Sequence, residues 1–143
     1  MGRILGVDLG ARRVGLALSD PLRTFGSPLA TIPFVSEKSL EEKVAQLCAE
    51  HGVDLVVIGM PYQADGSEGA GCARARRMAQ RLEARGLATA LQDETLTSRD
   101  AEDALRETGK TRRTAKEAVD RIAASLILRD YLAQSARADH PHA

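Results

Sequence analysis

The sequence predicts an α/β fold: a mixed five-stranded sheet, three strands antiparallel and two parallel, flanked by helices. Two observations lead there. Two apolar runs, residues 3–9 and 14–19, are separated only by the short link Gly10-Ala-Arg-Arg, which makes an antiparallel hairpin. Further on, short apolar runs alternate with helical patterns, as parallel strands joined by helical crossovers do.

Each element has its own signal. Residues 29–34, set off by Pro28 and Pro33, supply a third strand, placed at an edge because proline cannot donate to a ladder. Ser39-Leu-Glu-Glu42 has capping-box spacing, and Leu40, Val44 and Leu47 recur at helical intervals until Gly52 stops the helix. Leu55-Val-Val-Ile58 is apolar without alternation, as befits a strand covered on both faces. A Gly/Pro-rich loop over 59–71 leads into an Arg-rich helix to about Ala84, with Gly86 as its stop. A fifth strand, 88–92, ends at Asp93-Glu94. Thr97 or Ser98 caps a helix through Leu105, and a last helix runs from about Ala115 to Ala133. The expected organisation is one domain over 1–133, then a disordered tail over 134–143.

Composition narrows the function. The 143 residues are 43% hydrophobic and 28% charged, enough for one domain with a real core. A two-lobed ATPase or kinase does not fit in that length. No apolar run approaches the ~18 residues of a membrane span, and the start lacks a signal peptide's apolar stretch. Cys48 and Cys72 have no partner at zinc-ligand spacing and read as core or helix thiols. A cytoplasmic protein with no membrane contact is the expectation.

The net charge of zero hides an uneven distribution. Residues 70–86 carry five arginines against Glu83, a net of +4; residues 93–105 carry five acids against Arg99, a net of −4. Residues 106–121 return to +3. Acids between basic segments suit a protein whose carboxylates hold cations while its arginines hold phosphates. Solvated helix faces would give the same counts.

Three carboxylates stand where apolar residues belong. Asp8 lies in the run Ile4-Leu-Gly-Val-Asp-Leu9 and shares a sheet face with Ile4. Burying it unpaired costs several kcal/mol, roughly, so it needs a cation or several donors; the amides of the following turn are one source. On a helical projection Asp120 falls among Ala123, Ala124, Ile127 and Tyr131, in the middle of an apolar stripe. Lys116, one turn back, could instead pair with it. Asp93-Glu94 closes a strand at its carboxyl end, where open α/β sheets place their ligand crevice. If the first and fifth strands lie close and the last helix packs across the sheet, Asp8, Glu94 and Asp120 converge. Such a cluster repels itself and calls for divalent cations, and oxygen-only donors select Mg²⁺ or Mn²⁺. Two metals ~3.5–4 Å apart could then clamp the attacking water and the leaving oxygen of a phosphodiester.

The stretches Gly6-Val-Asp8-Leu-Gly10, Arg13-Val-Gly-Leu-Ala17 with Ser19-Asp20, Gly59-Met-Pro61, Asp65-Gly-Ser67-Glu-Gly69, Asp93-Glu94 and Asp120-Arg-Ile-Ala-Ala124 with Ile127-Leu-Arg-Asp-Tyr131-Leu132 resemble the YqgF (RuvX) family. The resemblance runs to about Leu132, in the family's order. It implies a ribonuclease H-like fold and a nuclease: either a maturase of the 5′ end of pre-16S ribosomal RNA or a Holliday-junction resolvase. By motif, the catalytic and metal-binding acids are Asp8, Glu94 and Asp120, the three singled out above. One departure is Thr95, where the family usually has Arg; Arg99, one helical turn on, is a candidate substitute.

Candidate substrate-binding residues are Arg13, Ser67 and Arg99, with Arg74, Arg76 and Arg77 after the Gly-rich loop, where helix N-terminal amides could hold a phosphate. The expected partner is nucleic acid, pre-16S rRNA or branched DNA. Few aromatics (3%) argue for a grip on backbone and shape. A monomer would suffice for rRNA processing, whereas a junction resolvase needs a two-fold homodimer. The competing reading is a non-catalytic nucleic-acid or ribosome-associated module of the same fold.

Overall fold

The computed structural model describes residues 2–94 and 112–139, with side chains of the last helix described for 118–135. Five strands and three helices follow in order: β1 (Arg3–Leu9), β2 (Arg13–Ser19), β3 (Gly26–Pro33), α1 (Glu37–His51), β4 (Val53–Met60), α2 (Ala70–Ala84), β5 (Ala88–Asp93) and α3 (Arg112–Asp139). The sheet order is β3-β2-β1-β4-β5. β1–β2 and β2–β3 pair antiparallel, β1–β4 and β4–β5 parallel, so the expected mixed sheet forms.

Alternation along the strands sorts the core into two layers. Leu5, Val7, Val14, Leu16, Val56 and Ile58 face α1 and α2, which bury Leu40, Val44, Leu47, Met78 and Leu82 against them. Ile4, Ala17 and Val57 face the other way, against Ala124, Ile127 and Leu128 of α3. β4 is therefore covered on both sides, which is why its sequence does not alternate in polarity. Cys48 and Cys72 are free thiols in the first layer, and burial pushes the Cys48 thiol up to about 11.

Several boundaries differ from the sequence reading, each for a local reason. β3 starts at Gly26 rather than near Leu29, because Asp20 organises the preceding turn. Its Oδ1 accepts from the amides of Thr24 (2.7 Å) and Phe25 (3.0 Å), returning the chain to pair Gly26 with Ser19. α1 is capped by Ser36, not Ser39; the Ser36 side chain accepts from the Ser39 amide at 3.0 Å. Gly52 ends that helix in the left-handed region (φ 65°), as its spacing implied. α3 continues as helix to Asp139 where a disordered tail was expected from Gln134; Ala, Gln and Arg are strong helix formers and nothing in 134–139 breaks the pattern. The helix expected from Thr97 or Ser98 to Leu105 lies outside the described residues. No helix among the described residues is long and apolar enough to cross a membrane.

Candidate active site

Asp8 is the sixth residue of β1, where the buried run Ile4–Val7 ends and the strand becomes partly exposed. It sits on the α3 side of β1, in line with Ile4 and Gly6, and it is flanked by glycine on both neighbouring strands. On β2 its paired residue is Gly15; on β4, Gly59 comes one step beyond the Val7–Ile58 pair. Neither glycine is idle. A Cβ on Gly15 would run into the backbone carbonyl of Asp120, so glycine there lets α3 settle directly on the sheet. A Cβ on Gly59 would run into the Glu94 carboxylate and come within 2.7 Å of Ile127 Cδ1. The Glu94 side chain thus lies across β4 over a residue with no side chain. β4 separates β1 from β5 in the sheet, and this gap is how Glu94 crosses it to reach Asp8.

Strand parity decides between the two acids at the end of β5. Ala90 packs in the α3 layer and Gln92 is buried in register with Gly59, so Glu94 continues that face while Asp93 is exposed. The Glu94 amide donates to the Met60 carbonyl (3.2 Å), holding the chain to the end of β4 for one residue past the strand.

The electrostatics are those of crowded acids. The Glu94 and Asp8 carboxyls are hydrogen-bonded to each other, which requires a proton between them. Burial first, then the charge of Asp8, pushes Glu94 up to about 9. Asp8 is also raised, by burial foremost; the Glu94 hydrogen bond works against this and the charge of Asp120 adds to it. Asp120 therefore lies within electrostatic reach of Asp8. Lys116, considered from helical spacing, has its side chain outside the described residues. Arg13 of β2 donates from Nε to Asp120 Oδ2 at 2.8 Å.

These donors suit a hard cation. All are carboxylate oxygens, whose crowded negative charge a divalent ion would neutralise. The third acid is not arranged with them: among the described residues no group of three His, Cys, Asp or Glu side chains is set to hold an ion. Asp120 is close to the pair but faces Arg13.

The residues considered for substrate contact are mostly engaged within the chain. Arg74 Nη1 donates to the Gly10 carbonyl (2.6 Å), its guanidinium lies 4.2 Å above the Phe34 ring, and its buried Nη2 has no hydrogen-bond partner. It ties α2 to the β1–β2 turn just past Asp8. Arg76 grips Glu68 with two bonds of 2.7 and 2.6 Å, and Arg77 donates to Glu37 of α1 (2.9 Å). Arg81 and Arg85 continue that ladder onto Glu41. Four of the five arginines in the +4 segment are thus paired with Glu37 and Glu41 of α1 or with Glu68, which the charge count along the sequence could not show. Ser67 Oγ donates to Asp65 Oδ1 (2.6 Å), closing a turn in the Gly-rich loop. Arg13 reaches the acids, and Arg99 and Thr95 lie outside the described residues. Sequence reasoning missed the Arg13–Asp120 pair and the two spacer glycines; Arg13-Val-Gly15 hinted at one of them, but only the strand register brings these residues together.

Comparison with known proteins agrees with this architecture. The family model described as RuvX, Holliday junction resolvase, matches residues 2–134. A relative from Syntrophus aciditrophicus is 42% identical over 131 residues, 91% of this chain and 87% of the relative; one from Chloroflexus aggregans is 41% identical over 130 residues, 90% and 92%. Both carry the name "Putative pre-16S rRNA nuclease". Among solved structures, Thermus thermophilus RuvC bound to a Holliday junction aligns with a TM-score of 0.56 over 94% of this chain and 96% of that one, at 11% identity. The fowlpox virus resolvase in complex with its junction gives 0.56 over 92% and 97%, at 16% identity. These two share the ribonuclease H-like fold with this protein. With the match running through β1, β5 and α3, and so through all three acids, this chain belongs to the RuvX family.

Proposed function

We propose that this protein is a metal-dependent phosphodiester hydrolase acting on structured nucleic acid, with the 5′ leader of pre-16S rRNA as its substrate. The observation that carries the reading is the meeting of the Asp8 and Glu94 carboxyls across Gly59. A fold under no chemical demand would not hold two half-buried acids side by side at the carboxyl ends of β1 and β5. The named relatives support the choice of rRNA.

Asp8, Glu94 and Asp120 would hold Mg²⁺ or Mn²⁺, two ions if both the attacking and leaving oxygens are to be served. A divalent cation bound there supplies charge neutralisation at the scissile phosphate. The chain's own part is to keep the acids in place. β1 fixes Asp8 by its ladder on both sides, the Met60 carbonyl anchors Glu94, and the close approach at Gly15 fixes the height of Asp120 above the sheet. Glu94, with its raised pKa, is a proton carrier near neutrality in the cation-free protein. We assign residues 1–133 to one domain. A single site per chain serves rRNA processing as a monomer, and a two-fold homodimer is required only for symmetric junction cleavage.

The test is cleavage of a pre-16S rRNA 5′-leader substrate beside a four-way DNA junction, each with Mn²⁺, Mg²⁺ or EDTA. Cleavage of the RNA that needs the cation and falls at least 10³-fold in Asp8→Asn is the expected outcome. Preference for the junction would make the protein a resolvase. Binding without cation-dependent cleavage of either substrate would make it a non-catalytic module.

A further inference from the structure

We propose that Arg13 is a positioning residue that holds Asp120 away from the other two acids until a divalent cation releases it, and that the freed guanidinium then contacts the substrate phosphate. The inference rests on the nuclease reading above and assigns Arg13 a role in the order of binding.

Three observations place Arg13 in that role. Its Nε–Oδ2 bond to Asp120 is 2.8 Å long, between side chains that are 35% and 18% exposed, so the pair is neither free in solvent nor locked in the core. The Asp120 charge reaches Asp8, yet the three acids form no cation-holding group among the described residues. The backbone beneath is fixed: β1 and β2 pair Asp8 with Gly15, and the Asp120 carbonyl rests against Gly15. Only side-chain torsions separate Asp120 facing Arg13 from Asp120 facing Asp8.

The charges favour an exchange. Without a cation, a carboxylate beside two more acids is better paired with a guanidinium. With a cation between the acids, Asp120 gains a stronger partner, and Arg13, next to a doubly charged ion, is better placed on an anion. A phosphodiester entering that site is such an anion, and a planar guanidinium suits its two oxygens. Asp120 cannot serve both partners fully, so cation and Arg13 compete for it. Arg74, Arg76 and Arg77 lack this option, being engaged elsewhere.

The experiment is a Mn²⁺ titration, without nucleic acid, of the wild type, Arg13→Gln, Asp120→Asn and the double variant. Arg13→Gln is expected to bind Mn²⁺ roughly three- to ten-fold more tightly, the scale of a half-exposed ion pair lost as a competitor. That gain should vanish in the Asp120→Asn background, since Arg13 acts through Asp120; a gain of the same size in both backgrounds is a general charge effect and overturns the proposal. Weaker binding in Arg13→Gln overturns it too, by making Arg13 a support that orients Asp120 for the ion. Should the variants fail to fold, the wild type alone decides. The Arg13 Nε–H resonance should be protected from exchange in EDTA and lose protection in saturating Mg²⁺; protection unchanged by Mg²⁺ overturns the release. Cation-dependent cleavage by the wild type is read separately, so either idea can fail without the other.

Discussion

Gly59 and Gly15 flank the same aspartate, yet a methyl group on each has a different cost. On Gly59 it meets the far end of the Glu94 side chain and the Ile127 Cδ1, both able to move. On Gly15 it meets the backbone of α3 at Asp120, which can give way only if the helix lifts. Gly59→Ala should therefore fold with a near-normal Tm and lose cation binding, because Glu94 no longer reaches Asp8. Gly15→Ala should lose about 1–3 kcal/mol, the usual range for overpacking, or several degrees of Tm. Thermal melts and Mn²⁺ titrations on the same two variants check both statements; equal effects would mean that Gly59 is merely a packing residue. The protonation of the pair gives a second prediction. Glu94 is raised from the ordinary carboxyl value to about 9, so between about pH 4.5 and 9 the folded protein holds a proton that the unfolded chain releases. In EDTA, the contribution of this pair is full below that window and is lost as pH rises through it. Asp20, Asp54 and Glu41 are lowered by their hydrogen bonds, Glu41 by those to Arg85 and Arg81, so their contributions are lost only as pH falls below the ordinary carboxyl range. Denaturant melts from pH 5 to 9 should show a decline that Glu94→Gln flattens; an equal decline in that variant would remove Glu94 as its source.

At the scale of elements, α1 and α2 are joined by charge as well as by their apolar faces. Glu37 receives Arg77 and Arg81, and Glu41 receives Arg81 and Arg85, with the Glu41 side chain only 14% exposed. A network of this kind outperforms isolated surface pairs but is still screened by salt. Glu41→Gln should lower Tm at low ionic strength and lower it less in high salt, read as the difference between two melts. The same pairing bears on substrate binding: Arg77→Ala should leave the salt dependence of RNA binding nearly unchanged, whereas a residue neutralising one phosphate would change the slope by about 0.7–0.9. A slope reduced by that amount in Arg77→Ala would restore α2 as the nucleic-acid face. Here the limits of sequence reading become concrete. The hairpin, the doubly covered β4 and the two helix stops at Gly52 and Gly86 were legible, because each rests on local pattern or a special backbone angle. The unusual placement of Asp8 and Asp120 was legible too, because a carboxylate in an apolar stripe contradicts its surroundings. The fate of the α2 arginines was not legible, since it depends on which helix lies beside α2. Nor was the Arg13–Asp120 pair, which joins residues 107 positions apart. The strand over 26–33 was placed too late because the Asp20 turn is built by side-chain bonds that leave no periodicity.

The whole molecule places its two layers unequally. One face of the sheet carries α1 and α2; the other rests, among the described residues, on α3, with Ile127 and Leu128 fully buried and Gly6, Gly15 and Gly26 clearing the way for close contact. The proposed cation ligands come from β1, from the residue after β5 and from α3. A bound ion would therefore tie α3 to the sheet at a further point. Because the unfolded chain offers no such cluster, binding is stabilisation: at one hundred times Kd it contributes about 2.7 kcal/mol, roughly 5–10 °C for a domain of this size. Mn²⁺ should raise Tm by that order in the wild type and by far less in Glu94→Gln. Amide exchange should tell where the gain resides. With the ion, protection should rise along residues 118–128 of α3 and at the ends of β1 and β5, while α1, which offers no ligand, keeps its rates. Were α1 to gain as much as α3, the ion would be acting on global stability from elsewhere on the surface, and the three acids would lose their claim to it.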